Sequence, residues 1–262
     1  MKRLYIVFVT WAFFPAVLSA QSPATTGHPD SLLIQVRTQM HKANSLFETG
    51  KLAEARATFE RILPMAEKPW LIHYYIALAD RYLSQHYYES DTDLANRHLD
   101  AGIDQLATSI ELKENFAEAH ALQSSLYGMK IALSPWKGMI LGPRSKNAMD
   151  RAVKSDPDNP RVLLLSGISA LETPPMFGGS SKEARELLLR SVDRFETYQP
   201  VSEVHPSWGR YEAYAWLGQV AVELDDNDAA KAYYEKALEI NPDGGWVRYQ
   251  LVPALEKRMG NN

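Results

Sequence analysis

The chain contains no cysteine among its 262 residues. This absence excludes disulfide bridges, a thiolate nucleophile and zinc sites built on thiolates, and it leaves no residue for a bacterial lipid anchor. After residue 20 the chain also lacks any apolar run of the roughly 20 residues that a membrane-spanning helix needs. The sequence after residue 20 therefore predicts a protein that folds outside a membrane and without covalent crosslinks.

Motifs that carry catalytic chemistry are missing as well. The seven histidines form no HExxH pattern and no pair at i and i+4, so a zinc hydrolase site is not supported. No GxSxG nucleophile elbow, Walker loop or dinucleotide fingerprint occurs. Glycines before Ser180 suggest an anion cradle, but Ser180 and Glu183 have the spacing of a capping box, which is the favoured interpretation. The sequence predicts no enzyme, no cofactor and no metal site.

Residues 1–20 have the pattern of a secretory signal peptide. Lys2 and Arg3 precede an uncharged apolar run over residues 4–18, and cleavage is expected near Ala20. Pro15 interrupts the run, which is shorter than a comfortable membrane span. An uncleaved N-terminal membrane helix is the alternative. The pattern predicts a periplasmic or secreted protein with no stable membrane insertion after cleavage.

Acidic residues outnumber basic ones in this chain. Cleavage after residue 20 would remove two of the 28 basic residues and none of the 32 acidic ones, so the mature chain would carry a formal charge of 26 − 32 = −6. Nucleic acids and anionic membranes attract clustered Lys and Arg. The charge balance therefore predicts no nucleic-acid partner.

The most informative segment is residues 214–242, where large and small apolar residues alternate at helical spacing. Close antiparallel packing of two helices needs small side chains where the axes approach. The pattern places Tyr214, Leu217 and Gly218 on one helix, Ala230, Tyr234 and Ala237 on the next, and Pro242 at its end. Corresponding small residues, Ala43, Ala79, Ser124, Gly167 and Gly218, predict five helix pairs, with Gly50 in the first turn. Their spacings of 36, 45, 43 and 51 residues exceed the 34 of an ideal array.

This segment resembles one tetratricopeptide (TPR) repeat, and the resemblance extends over about residues 31–258. It implies an all-α fold, namely a TPR-like right-handed superhelical array of antiparallel helix pairs with expanded loops. A C-terminal capping helix is expected after Pro242, where Trp246, Tyr249 and Leu251 supply apolar surface and Pro253 introduces a kink or break. Residues 21–30 are predicted to be a flexible mature N-terminus, and residues 31–262 a single domain.

The export signal and the motifs LGPRS and TPPMFGGSSKEA resemble bacterial periplasmic TPR proteins related to the T component of TRAP-type transporters. That resemblance implies a helper of a substrate-binding protein that handles small organic ligands. Typical members carry an N-terminal cysteine, which this chain lacks. It suggests the alternative function, a periplasmic accessory of a small-molecule transport system with an enclosed ligand pocket.

Two sets of residues are predicted to bind a partner. The long loops carry aromatic and cationic side chains, and loops on a rigid scaffold are where binding residues concentrate. They are Trp136, Arg144, Phe177, Trp208 and Arg210. The TPR resemblance implies that a second set faces the concave side, namely His73, Asp80, Ser125, Arg161 and Gln219. Loops that merely fill gaps between irregular repeats are the alternative to the first set.

These observations favour a non-enzymatic, exported TPR scaffold. Its expected partner is a protein or peptide, bound through the concave face and the long loops, or a small organic ligand in the alternative function.

Overall fold

The computed structural model describes residues 29–260 of the chain. The predicted signal peptide and most of the predicted flexible N-terminus lie outside these residues. Within them the chain forms eleven α-helices and no β-strand. The helices are α1 Pro29–Ser45, α2 Thr49–Ile62, α3 Pro69–Tyr87, α4 Thr92–Leu112, α5 Ala117–Leu133, α6 Gly138–Ser155, α7 Pro160–Glu172, α8 Ser181–Thr197, α9 Arg210–Glu223, α10 Asn227–Ile240 and α11 Val252–Arg258.

Ten of these helices pack as five consecutive pairs, from α1 with α2 to α9 with α10, and each pair packs on the next. The prediction of an all-α, TPR-like array is confirmed. Several helices begin at the caps that their sequences indicate. Asn159 caps α7 by accepting the backbone N–H of Arg161 at 3.0 Å, and Ser180 caps α8 by accepting that of Glu183 at 3.2 Å.

Small residues lie where the two helices of a pair come closest. A β-carbon built on Gly167 would lie 2.7 Å from Cγ of Leu188, and one on Gly218 only 2.1 Å from Cε1 of Tyr234. A larger side chain at either position would have to displace the packed side chain of the neighbouring helix. The predicted close crossing at Gly218 is therefore confirmed, and the small-residue spacing reflects packing within pairs.

The two ends of the array differ from the prediction in detail. Helix α1 already begins at Pro29, before the expected start near residue 31. Gly50, expected to form the first turn, lies inside α2, and Phe47 makes the turn with φ of 57°. At the other end, a π-helical turn over Val247–Leu251 precedes α11. Leu251 is buried as expected, whereas Tyr249 is exposed.

The first and last parts of the array touch each other. Nδ2 of Asn241 donates to Oγ of Ser45 at 2.8 Å, although the two residues are 196 positions apart. Gly245 lies so close to the first turn that an added β-carbon would be 2.4 Å from Cε2 of Phe47. The array thus curls until its ends meet. Within residues 29–260, none of the helices has the length and apolarity required to cross a membrane.

Candidate functional site

The connection between α8 and α9, residues 198–209, lies against the first helices of the first two pairs. We call it the inner connection. The hydroxyl of Tyr75 donates to the carbonyl of Val204 at 2.6 Å. Nη1 of Arg37 donates to the carbonyls of Glu203 and His205 at 2.6 and 2.8 Å. First helices form the concave side of a TPR-like array, so the chain itself occupies part of its concave face.

Trp208 anchors the end of the inner connection inside the protein. Its side chain is 5% exposed, and Nε1 donates to the hydroxyl of Tyr74 at 2.8 Å. Burial raises the pKa of Tyr74 well above its usual value and that of Tyr75 to about 12, so both phenols stay protonated. The expectation that Trp208 is an exposed loop anchor is therefore corrected, because its indole fills the interior and its N–H already has an acceptor there.

Two predicted groove residues are also buried. Arg161 is 1% exposed, and its guanidinium lies 4.8 Å from the ring centroid of Tyr198. Asp80 is fully buried and accepts from Nε of Arg56 at 2.6 Å and pairs with Nδ1 of His98 at 2.7 Å. The expectation that Arg161 and Asp80 face an open groove is corrected: an aromatic ring covers the first, and the second joins α3 to α2 and α4.

The remaining predicted groove residues are bound to neighbours or only half-buried. His73 shares a 2.6 Å hydrogen bond with Gln105, and Nε2 of Gln219 donates to the hydroxyl of Tyr234 at 2.7 Å. Ser125 is half-buried on α5. The structure does not bring these three together with the loop residues. Their partner-binding roles stay predictions.

A pocket of about 400 Å³ opens where the two ends of the array meet. We call it the closure pocket. It is lined by residues of α1 and the turn after it, of α3, of the inner connection, of α9 and of the segment 240–250. Among them are Phe47, Arg81, Trp208, Arg210, Trp216 and Trp246. Of the residues predicted as sites, Trp208 and Arg210 meet here. Aromatic and polar side chains share its lining, and small-ligand sites combine apolar walls with convergent polar groups.

Arg81 supplies a buried positive charge to the closure pocket. It is 5% exposed, its Nε has no hydrogen-bond partner, and its guanidinium lies 5.9 Å from the ring centroid of Trp208. Burial lowers the pKa of Arg81. Glu212 lines the same pocket, but its carboxylate accepts the backbone N–H of Gly209 at 3.1 Å, and burial raises its pKa.

Aromatic rings form the walls of the closure pocket. The rings of Trp216 and Trp246 are 5.3 Å apart and inclined at 53°, and Phe47 meets His86 edge-on at 5.3 Å. Burial lowers the pKa of His86, and burial together with Arg37 and Arg161 lowers that of His41 to about 3. Both pocket imidazoles are thus neutral at neutral pH and add no positive charge to the pocket.

A second surface lies where the third and fourth pairs turn from their first to their second helix, at residues 134–146, which include the first half of α6, and residues 173–180. We call it the turn edge, because turns within successive antiparallel pairs lie at the same end of an array. Trp136 is 73% and Phe177 74% exposed, and the other apolar side chains here stand equally free. These are Met139, Ile140 and Met176. The expected exposure of Trp136 and Phe177 is observed, and Arg144 is exposed as well. The prediction that Arg144 and Arg210 lie in loops is wrong, because Arg144 lies on α6 and Arg210 begins α9.

Sequence reasoning missed Arg81 as a pocket residue and did not connect Trp216 with Trp246. Arg81 stands between Asp80 and Tyr82 on a helix, where a charged residue usually faces solvent. The pocket gathers residues separated by up to about 200 positions, so no local spacing could have revealed it.

Comparisons with known proteins agree with this architecture. A family model described as "Tetratricopeptide repeat" matches residues 211–243. A search of curated proteins found no match. Among solved structures, the HusA haemophore from Porphyromonas gingivalis is 21% identical with a TM-score of 0.65, covering 76% of this chain and 96% of that one. A thermophilic TPR protein from Thermus thermophilus is 16% identical with a TM-score of 0.56, covering 86% of this chain and 98% of that one.

At these identities the two structures are similar to this chain in fold alone. The chain therefore carries a TPR repeat near its C-terminus within a TPR-like fold. These comparisons do not link it to the T component of TRAP-type transporters.

Proposed function

We propose that this protein is an exported, non-enzymatic scaffold that binds a protein partner through its turn edge. TPR-like folds typically serve as protein-interaction scaffolds. The observation that carries the proposal is the exposure of five large apolar side chains in the turns of the third and fourth pairs and at the start of α6. Contiguous exposed apolar surface on a soluble protein marks an interaction site.

The charges around the turn edge indicate what the partner presents. Residues 134–146 contain three basic residues and no acidic one. Lys146 already pairs with Asp150 at 2.6 Å, whereas Lys137 and Arg144 form no ion pair within residues 29–260. Nζ of Lys137 lies 5.5 Å from the ring centroid of Trp136. Protein interfaces combine an aromatic centre with a charged rim. The fitting partner therefore has an apolar patch bordered by Asp or Glu.

Site-directed photocrosslinking in the native cell tests this proposal. Benzoylphenylalanine placed at position 136 or 177 should crosslink one common partner, because both positions lie on the turn edge. The control position is Val201, which is 86% exposed but lies in the inner connection. Adding Met139→Ser should reduce the crosslinks made from position 177. Equal crosslinking at 136, 177 and 201, or none at the first two, would overturn the proposal.

The intact mass of the protein isolated from its native cell tests export. Export predicts a mature chain that starts at Gln21.

A second candidate function is favoured by the closure pocket. A periplasmic accessory of small-molecule transport would need an enclosed cavity with a few convergent polar groups. The closure pocket offers a partly open cavity of about 400 Å³ lined by aromatic and polar side chains, whereas the concave face is partly occupied by the inner connection. One protein of similar fold is a haemophore, which offers a precedent for a small-ligand carrier. Native mass spectrometry of the protein isolated from its own cell should then show a noncovalent ligand that is lost on denaturation. A visible absorbance spectrum of the same sample would show whether that ligand is haem.

A further inference from the structure

We infer that the closure pocket binds a small aromatic anion, whose acidic group pairs with Arg81 while its ring lies against Trp216 and Trp246. This inference deepens the second candidate function and does not depend on the turn edge. The ligand class is a compact aromatic ring system that carries a carboxylate, sulfonate or phosphate group.

The buried cation is the first step of the argument. A guanidinium removed from water is costly unless hydrogen bonds and an opposite charge compensate it. Among residues 29–260, no carboxylate oxygen lies within 4.0 Å of the Arg81 guanidinium, and its Nε is without a partner. Arg210, the other arginine at the pocket, is already paired with Glu196 at 2.6 Å. Arg81 is therefore the pocket's available partner for an anion.

Glu212, the acidic residue of the pocket, forms no ion pair with Arg81. Glu212 interacts electrostatically with Arg81 but uses its carboxylate to cap the start of α9, where it accepts the Gly209 N–H. A planar guanidinium binds carboxylate, sulfonate or phosphate oxygens in a bidentate way that a single capping carboxylate does not reproduce. An incoming anion would thus complete an interaction that the folded chain leaves open.

The aromatic side chains that line the closure pocket indicate that the ligand carries a ring system. Trp216 and Trp246 are both half-buried, so each presents part of its indole to the cavity. Aromatic rings prefer tilted or offset contacts with other rings, and these contacts stabilise binding beyond the burial of apolar area. A volume of about 400 Å³ is at the lower end for small-ligand pockets, so the ligand is a compact ring system.

Two fluorescent probes with the same ring skeleton test the inference. 8-Anilinonaphthalene-1-sulfonate carries an acidic group, and N-phenyl-1-naphthylamine lacks it. Wild-type protein should bind the sulfonate more tightly. Arg81→Met should weaken binding of the sulfonate about tenfold and leave binding of the neutral probe nearly unchanged, because only the sulfonate uses the ion pair. Arg81→Lys should retain part of the preference, and Trp216→Ala should weaken both probes.

Matched controls separate this site from the turn edge and from misfolding. Arg144→Gln removes an exposed charge of the turn edge and should leave both affinities unchanged. The double variant Trp136→Ser, Phe177→Ser should also bind both probes as the wild type does; loss of binding there would place the probes on the turn edge and overturn the inference. Equal weakening of the two probes by Arg81→Met in a protein with an unchanged thermal midpoint would overturn it too. If Arg81→Met does not fold, the affinities of the wild-type protein for the two probes test the inference. Tighter binding of the neutral probe than of the sulfonate would contradict it. None of these outcomes bears on the crosslinking test of the turn edge.

Discussion

The turn edge and the inner connection are similar in sequence, but the tryptophan of the first is exposed to solvent and the tryptophan of the second is buried. Both are insertions that contain proline and aromatic residues. Trp136 at the turn edge is 73% exposed, whereas Trp208 in the inner connection is 5% exposed. Aromatic content alone therefore does not distinguish a binding loop from a packing loop.

The position of each insertion in the array accounts for the difference. A turn inside a helix pair projects from the end of the array, so its side chains meet solvent. The inner connection joins one pair to the next and, at twelve residues, is long enough to cross the inner faces of α1 and α3. Arg37 and Tyr75 on those helices donate hydrogen bonds to its carbonyls, which satisfies backbone groups that would otherwise be buried without partners.

The largest effect is expected when the two tryptophans are exchanged for alanine. Trp208→Ala should lower the free energy of unfolding by about 3–5 kcal/mol, because it leaves a cavity and removes the donor to Tyr74. Trp136→Ala should change it by less than about 0.5 kcal/mol. Urea unfolding of both variants measures this. Similar losses in the two proteins would contradict the contrast between the regions.

A smaller effect is expected from Arg37→Met. The substitution keeps much of the aliphatic volume but removes the donor to the carbonyls of Glu203 and His205, so we expect a loss of about 1–2 kcal/mol. Arg144→Met at the turn edge is the matched control and should stay within about 0.5 kcal/mol. Hydrogen exchange should also speed up in residues 198–209 of the Arg37 variant. Unchanged exchange there would show that Arg37 does not hold the inner connection.

The smallest expected effect is a pH dependence of stability that arises from His205 in the inner connection. Burial, followed by Lys113 and Lys68, lowers the pKa of His205 in the folded protein. The unfolded chain then binds the proton more readily, so this stability is present above about pH 6.5 and is lost as pH falls towards the folded pKa. The thermal midpoint of His205→Gln should depend less on pH between 7 and 5 than that of the wild type. The turn edge contains no histidine. An NMR titration that placed the His205 midpoint above 6.5 would reverse the sign.

The closure pocket illustrates a limit of prediction from one sequence. Helical spacing placed Gly218 at a close crossing, because the packing of one helix against the next depends on residues within about 20 positions. Arg81 and Trp246 line one pocket only because the array curls far enough for its ends to touch. The curvature of the array is the sum of small rotations between successive helix pairs. The same reason explains why Trp208 was expected outside: the neighbour that accepts its N–H, Tyr74, is 134 residues away.

The sequence by itself determined the helix pairs and the all-α class, since each follows from short-range periodicity and turn composition. The tertiary structure alone decided that the inner connection occupies part of the concave face, that Trp136 and Phe177 are exposed, and that Arg81 is left without a carboxylate partner in the closure pocket. Burial and charge pairing depend on which distant surfaces meet, and in this protein they meet through the closure of the array.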